Sequence, residues 1–215
     1  MFNGQAQQDK FVLSMLNNKK NGFFLELGSQ HPITNNNTFI LEKEYNWNGI
    51  MVEYESQWLN EYKIHRPNSI HIFDDAQNID YNSLLKINNV PKNIDYLQID
   101  LDVDNSSTLN TLFKMDEQLF NEYKFATITF EHDIYSSDHE NDIWAITRKM
   151  SREIFENRGY VLIFPDVQLP SNTSYRGKQC GAFEDWYVHP DLVDIDLINK
   201  YKTDKSIFFK NIIYY

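Results

Sequence analysis

The sequence predicts an α/β fold that is Rossmann-like and doubly wound. It has a mostly parallel sheet of about seven strands, an antiparallel edge and helices on both faces, in a single domain over residues 1–215. Three observations carry that prediction. Short apolar runs alternate with helix-period segments through roughly the first 160 residues, the pattern of parallel strands joined by helical crossovers. Each of the first five runs ends in acid, at the edge where a doubly wound sheet holds its ligand. The last third is irregular, which suits an antiparallel addition to the parallel part.

Taken in order, residues 9–20 place Phe11, Val12, Met15 and Leu16 on one helical face. The run 22–27 is the first strand. Asn37 or Thr38 caps a helix through Tyr45, Asn48-Gly49 turns the chain, and 50–53 is the second strand. A helix over 56–62 leads to a third strand at 69–73, and a short helix over 81–87 leads to a fourth at 94–100. Helix 108–115 and strand 125–131 follow. A longer helix, 142–157, is closed by Gly159 after Arg158 and leads to a strand at 160–164. Further strands are expected at 183–188 and 206–215, and the polar stretch 171–181 reads as a mobile loop over or beside the site.

The formal net charge of −11 and a pI near 4.9 oppose binding to nucleic acid or to an anionic membrane, and no basic patch offsets them. No apolar run reaches the roughly 20 residues of a membrane span, and the N-terminus lacks the form of a signal peptide. The single cysteine, Cys180, permits no intrachain disulfide. These features predict a cytoplasmic protein; homo-oligomerisation stays open.

The first strand runs into Glu26-Leu27-Gly28-Ser29-Gln30-His31-Pro32, and the second into Glu53. A strand, a tight turn, a helix and a second strand tipped by a carboxylate place a nucleoside over the strand ends, with Glu53 facing ribose hydroxyls. The turn holds one glycine before Pro32 and crowds a pyrophosphate, so a dinucleotide fits poorly. The remaining strand ends add Asp74 and Asp75, then Asp100, Asp102 and Asp104, then Glu131, His132 and Asp133.

The segments Phe24-Leu25-Glu26-Leu27-Gly28, Asn37-Thr38-Phe39-Ile40-Leu41-Glu42-Lys43, Trp47-Asn48-Gly49-Ile50-Met51-Val52-Glu53 and Ile94-Asp95-Tyr96-Leu97-Gln98-Ile99-Asp100-Leu101-Asp102 together resemble the FkbM-type methyltransferases. That family belongs to the class I enzymes that use S-adenosylmethionine. The resemblance covers residues 22–135 and departs from the family at 29–32. It implies that Glu26, with Gly28 and Ser29, faces the amino-acid part of the cofactor. Glu53 then binds the ribose, Asp75 and Ala76 meet the adenine, and Asp100 lies near the transferred methyl. It suggests methylation of a hydroxyl on a sugar, glycan or other small-molecule acceptor.

His132 is the favoured general base, beside Asp100 and Glu131, because a neutral imidazole titrates near working pH; His31 is a weaker candidate. A divalent cation, Mg²⁺ or Mn²⁺, held by Asp102 and His132 is a further option, since oxygen-rich clusters suit such ions. Two other functions stand beside methyl transfer. One is a metal-dependent nucleotide-sugar glycosyltransferase using Asp100-Leu101-Asp102. The other is a non-catalytic binding subunit on a methyltransferase scaffold.

Overall fold

The structure, a computed structural model, describes residues 2–170, 174–175 and 177–212. In chain order its main elements are α1 (Gln8–Met15), β1 (Phe23–Leu27), α2 (Phe39–Tyr45), β2 (Asn48–Glu53), α3 (Leu59–His65), β3 (Ile70–Phe73), α4 (Tyr81–Ile87), β4 (Asn93–Ile99), α5 (Ser107–Gln118), β5 (Lys124–Glu131), α6 (Ile143–Asn157), β6 (Val161–Gln168), β7 (Ser174–Tyr175), β8 (Lys178–Gln179), β9 (Ala182–Val188) and α7 (Ile195–Tyr201). Seven strands form one sheet in the order β3-β2-β1-β4-β5-β9-β6, and β7 and β8 form a separate hairpin. The strands from β3 through β5 pair in parallel, while β9 runs antiparallel to both β5 and β6. This is the doubly wound architecture with an antiparallel end that the alternating pattern predicts.

Strand alternation sorts side chains to two faces. Phe24, Met51, Tyr96 and Trp186 pack with Phe11, Val12 and Met15 of α1, Leu41 of α2, Tyr62 of α3 and Ile198 of α7. Leu25, Leu27, Ile50, Val52 and Ile128 pack on the opposite face with Leu85 of α4, Met115 of α5 and Phe155 of α6. Both faces are thus covered, which is why the parallel strands read as near-continuous apolar runs.

Three details differ from the sequence expectation. Helix α1 stops at Met15 because Asn17 and Asn18 follow with φ of 51° and 54°, a left-handed conformation that asparagine tolerates. Asn48-Gly49 lies inside β2, and the reversal before it is made by Asn46 at φ 58°. Among the described residues of the strand expected at 206–215, namely 206–212, no strand forms. Phe208 makes a single bridge to Gln168, and Phe209–Asn211 is a 3₁₀ turn. Strand β6 shows three register shifts against β9, and such a bulged strand presents no long straight ladder at its other edge. Residues 213–215 of that segment lie outside the described residues, as do 171–173 and 176 of the expected mobile loop. Among the described residues, no helix is long and apolar enough to cross a membrane.

Candidate active site

The C-terminal ends of β1, β2, β4 and β5 open into a cavity of about 770 Å³. Glu26, Gly28, Ser29, Glu53, Asp100, Asp102 and Glu131 all line it. A second hollow of about 370 Å³, around Glu42, Lys43 and Pro67, lies away from the strand ends. The cavity over the sheet is therefore the candidate site.

Gly28 is required by the turn. Its φ is 82°, and a Cβ there would lie 1.7 Å from the Asp100 carbonyl oxygen. The close approach lets Asp100 N–H donate to the Leu27 carbonyl at 3.0 Å and Gly28 N–H donate to the Val52 carbonyl at 3.0 Å. Both the strain and the clash fall on backbone atoms. Gly28→Ala is therefore expected to cost more than about 3 kcal/mol and to lower the Tm by roughly 6–12 °C for a chain of this size. A thermal melt checks it, and an unchanged Tm would refute the close approach.

Glu26 is fully buried at the end of β1. Its Oε2 accepts from Thr38 Oγ1 at 2.9 Å and from Asn36 Nδ2 at 3.2 Å, while its Oε1 has no hydrogen-bond partner. Burial pushes its pKa up to about 7, against the pull of the Arg66 guanidinium. Thr38 is the N-cap residue of α2, but it makes no side-chain cap bond because its hydroxyl is turned to Glu26. Arg66, itself fully buried, holds this arrangement from behind. It donates to Asn36 Oδ1 at 2.7 Å, to Thr38 Oγ1 at 2.7 Å, to the Pro32 carbonyl at 3.3 Å and to Glu42 Oε2 at 3.0 Å.

Glu53 lies at the tip of β2. Its oxygens accept backbone N–H groups from Gln30 at 2.5 Å and Glu55 at 2.7 Å, and burial raises its pKa. Each oxygen keeps a further lone pair for a ligand hydroxyl. Gln30, at φ 46°, has its carbonyl fixed by the Tyr62 hydroxyl at 2.8 Å. The 29–32 segment is thus an ordered turn built on Glu53.

At the ends of β4 and β5, Asp100 and Glu131 are hydrogen-bonded to each other. Burial raises both, and the Asp100 charge lifts Glu131 further, well above the carboxylate range. Gln98 Nε2 donates to Asp100 at 3.4 Å, and Gln98 Oε1 is buried without a partner. Two acids this close resist carrying two charges at once, so one proton is held between them more tightly than by a free carboxylate.

His132 is not part of this cavity. On β5, Thr129 and Glu131 share one face and Phe130 the other, and His132 follows on the side away from Glu131. It is fully buried, with Nδ1 accepting from Ile134 N–H at 3.2 Å and Nε2 lying 3.5 Å from Asp185 and 3.6 Å from Asp166. Arg152 clamps Asp185 at 2.6 and 2.7 Å, and Arg148 clamps Asp166 at 2.7 and 2.5 Å. Asp185 is held well below its usual range, although burial opposes this, by His132 and Arg152.

This corrects both roles expected of His132. As a base it has no access to the cavity, and as a metal ligand it is not brought to Asp102. Among the described residues the metal-compatible group is His132, Asp166 and Asp185. Because Nδ1 is an acceptor there, Nε2 carries the proton, and the arginines already occupy both carboxylates. The cluster is an ion-pair knot.

Two other expectations also move. Asp75 Oδ1 accepts from Gln77 N–H at 2.9 Å, closing its own turn, and the buried Ala76 gives its carbonyl to the Tyr81 hydroxyl at 2.8 Å. Neither lines the cavity. His31 Nδ1 accepts from Ile33 and Thr34 N–H groups, and its ring packs edge-on to Trp58. Sequence reading missed Arg66, Gln98 and the aromatic wall of Tyr135 and Trp144. The Gln98 position was readable, since it alternates with Asp100 on one face of β4.

No protein-family model matches the chain, and no curated protein does. Solved structures do resemble it. An S-adenosylmethionine-dependent methyltransferase from Archaeoglobus fulgidus aligns over 86% of this chain and 91% of its own, at 15% identity and a TM-score of 0.50. A Streptococcus thermophilus protein with a provisional hemolysin name aligns over 91% of this chain and 72% of its own, at 9% identity and a TM-score of 0.54. At such identities the likeness is one of fold, and the chain has the Rossmann-like fold seen in S-adenosylmethionine-dependent methyltransferases.

Proposed function

We propose that this protein is an S-adenosylmethionine-dependent O-methyltransferase acting on a hydroxyl of a sugar or glycan in the cytoplasm. The observation that carries the reading is Glu26 Oε1, an unpartnered buried carboxylate oxygen at a cavity over the β1 end, with Gln98 Oε1 likewise unpartnered nearby. A buried acceptor of this kind calls for a cationic donor, and the cofactor has an α-ammonium group. The residues present therefore fit it: Glu26 and Gln98 for its charged end, the Gly28–Ser29 backbone beside them, and Glu53 for the ribose. The FkbM-type resemblance in the same segments supports the cofactor class.

When bound, the cofactor supplies a methyl carbon whose bond to a sulfonium breaks, the electron pair staying on sulfur, as an acceptor oxygen attacks. Asp100 is the base in this reading, in place of His132: it takes the acceptor's hydroxyl proton while Glu131 donates a hydrogen bond to it. Asp133 and Asp102 line the cavity with Tyr135 and Trp144. Carboxylates beside aromatic faces suit a polyhydroxylated ring, which supports the sugar acceptor.

The test is calorimetry with S-adenosylhomocysteine in the presence of EDTA. Binding in the micromolar range is expected, weakened at least about tenfold by Glu53→Ala through loss of the ribose contact. No binding, together with manganese-dependent uptake of a nucleotide sugar, would replace this reading with glycosyl transfer.

A further inference from the structure

A buried third acid adjoins the half-buried Asp100–Glu131 pair. Glu184 of β9 stands directly opposite Glu131 of β5 in the antiparallel register. It is 1% exposed. Its two oxygens accept from Gln8 Nε2 of α1 at 3.0 Å and from Trp186 Nε1 at 2.5 Å. Like charges directly opposite on paired strands destabilise each other, so this row of acids cannot ionise together. Its members differ in support. Glu184 receives two N–H donors, Asp100 receives Gln98, and Glu131 stands between them, bonded to Asp100.

We propose that Glu184 is a positioning residue. Opposite Glu131, it makes Glu131 the acid that keeps its proton and so leaves the Asp100 carboxylate ionised toward the acceptor. The role rests on the methyltransferase reading above, in which Asp100 receives the acceptor's proton. The groups facing Glu131 are Asp100 from β4, Asp133 from the loop after β5 and Glu184 from β9. Those around Glu184 also include Asp100 and Asp133, with Tyr96 of β4 close by. Asp9 of α1 also acts on Tyr96. Burial lifts Glu184 to about 8, and Glu131 lies well above its usual value. Glu184 with two N–H donors and Asp100 with one are favoured in their charged forms, whereas Glu131 is bonded to Asp100, so Glu131 is the last of the three to ionise as pH rises.

Carbon-13 NMR of protein labelled at the glutamate carboxyls reads this without an acceptor. Glu131 is identified by the resonance lost in Glu131→Gln. In Glu184→Gln its titration midpoint is expected to fall by about one pH unit or more, a tenfold loss of proton affinity. Glu184→Asp should hold it near the native position. Gln8→Leu removes one donor from Glu184, keeps Glu184 protonated to higher pH and should lower the Glu131 midpoint in the same direction. This variant keeps the test open where Glu184→Gln does not fold. An unmoved midpoint in these variants, or an equal fall in Glu184→Asp, would overturn the proposal. Absence of S-adenosylhomocysteine binding by the native protein would instead overturn the methyltransferase reading and leave the titration order standing.

Discussion

Arg66→Ala is expected to destabilise the protein by about 3–5 kcal/mol, the cost of removing one partner from a buried ion pair. The guanidinium is fully buried and bonds four groups at once: Glu42, Asn36, Thr38 and the Pro32 carbonyl. Glu42 keeps Ser69 Oγ at 2.6 Å and the Asn68 N–H at 3.0 Å, but its charge would lose its counterion inside the protein. A domain is stable by about 5–15 kcal/mol, so this loss takes a large share and should appear as a much lower urea midpoint followed by circular dichroism. Arg66→Lys should recover little, because one ammonium cannot reproduce a planar fork that spans α2 and the β1 turn. The same substitution reaches the cavity, since Asn36 and Thr38 orient Glu26 and the Arg66 charge restrains its pKa. A stability change under about 1 kcal/mol would show that the network is redundant.

The residues that made the fold legible in sequence were those whose signal is local. Short near-continuous apolar runs, the glycine after Glu26 and the acids at strand ends depend on neighbours a few positions away, and the structure keeps them. What escaped depends on distant partners. Arg66 is 40 positions from Glu26, and an arginine at the end of a polar helix reads as surface. Its burial follows only from β1, α2 and α3 converging. Asp75 ends an apolar run just as Glu53 does, yet it bonds back to Gln77 and is spent on its own turn.

His132 was different, because the information was present. Thr127, Thr129 and Glu131 alternate with Ile128 and Phe130, so the residue after Glu131 could not share its face if the strand continued. The chemistry of an imidazole outweighed the geometry of the pleat. Glu184 was visible only as part of the strand expected at 183–188, since its meaning comes from the register that sets it against Glu131.

On the methyltransferase reading, Glu26 is expected to make cofactor affinity and stability respond to pH in opposite directions. Its pKa is raised by burial from 4.5 to about 7. A group raised on folding stabilises the native state fully below its unfolded pKa, and that contribution is lost as pH rises through the folded value. As pH rises from 4.5 through about 7 the native state therefore loses roughly 3 kcal/mol, a cost of the buried carboxylate that a neutral isostere avoids. Glu26→Gln should keep the Thr38 and Asn36 bonds through its carbonyl oxygen and melt above the native protein at pH 8. Ligand binding runs the other way. An ammonium group selects the ionised form, so S-adenosylhomocysteine should bind about 100-fold more weakly at pH 5 than at pH 8. In Glu26→Gln that dependence should vanish, with affinity at pH 8 reduced by about 10- to 100-fold for the loss of a charge-assisted bond. The paired measurement separates the causes. A variant that is more stable and binds worse can only have lost a ligand contact, whereas one that is less stable and binds worse has been damaged in its fold. A native affinity flat from pH 5 to 8 would show that Glu26 does not meet the cofactor's ammonium.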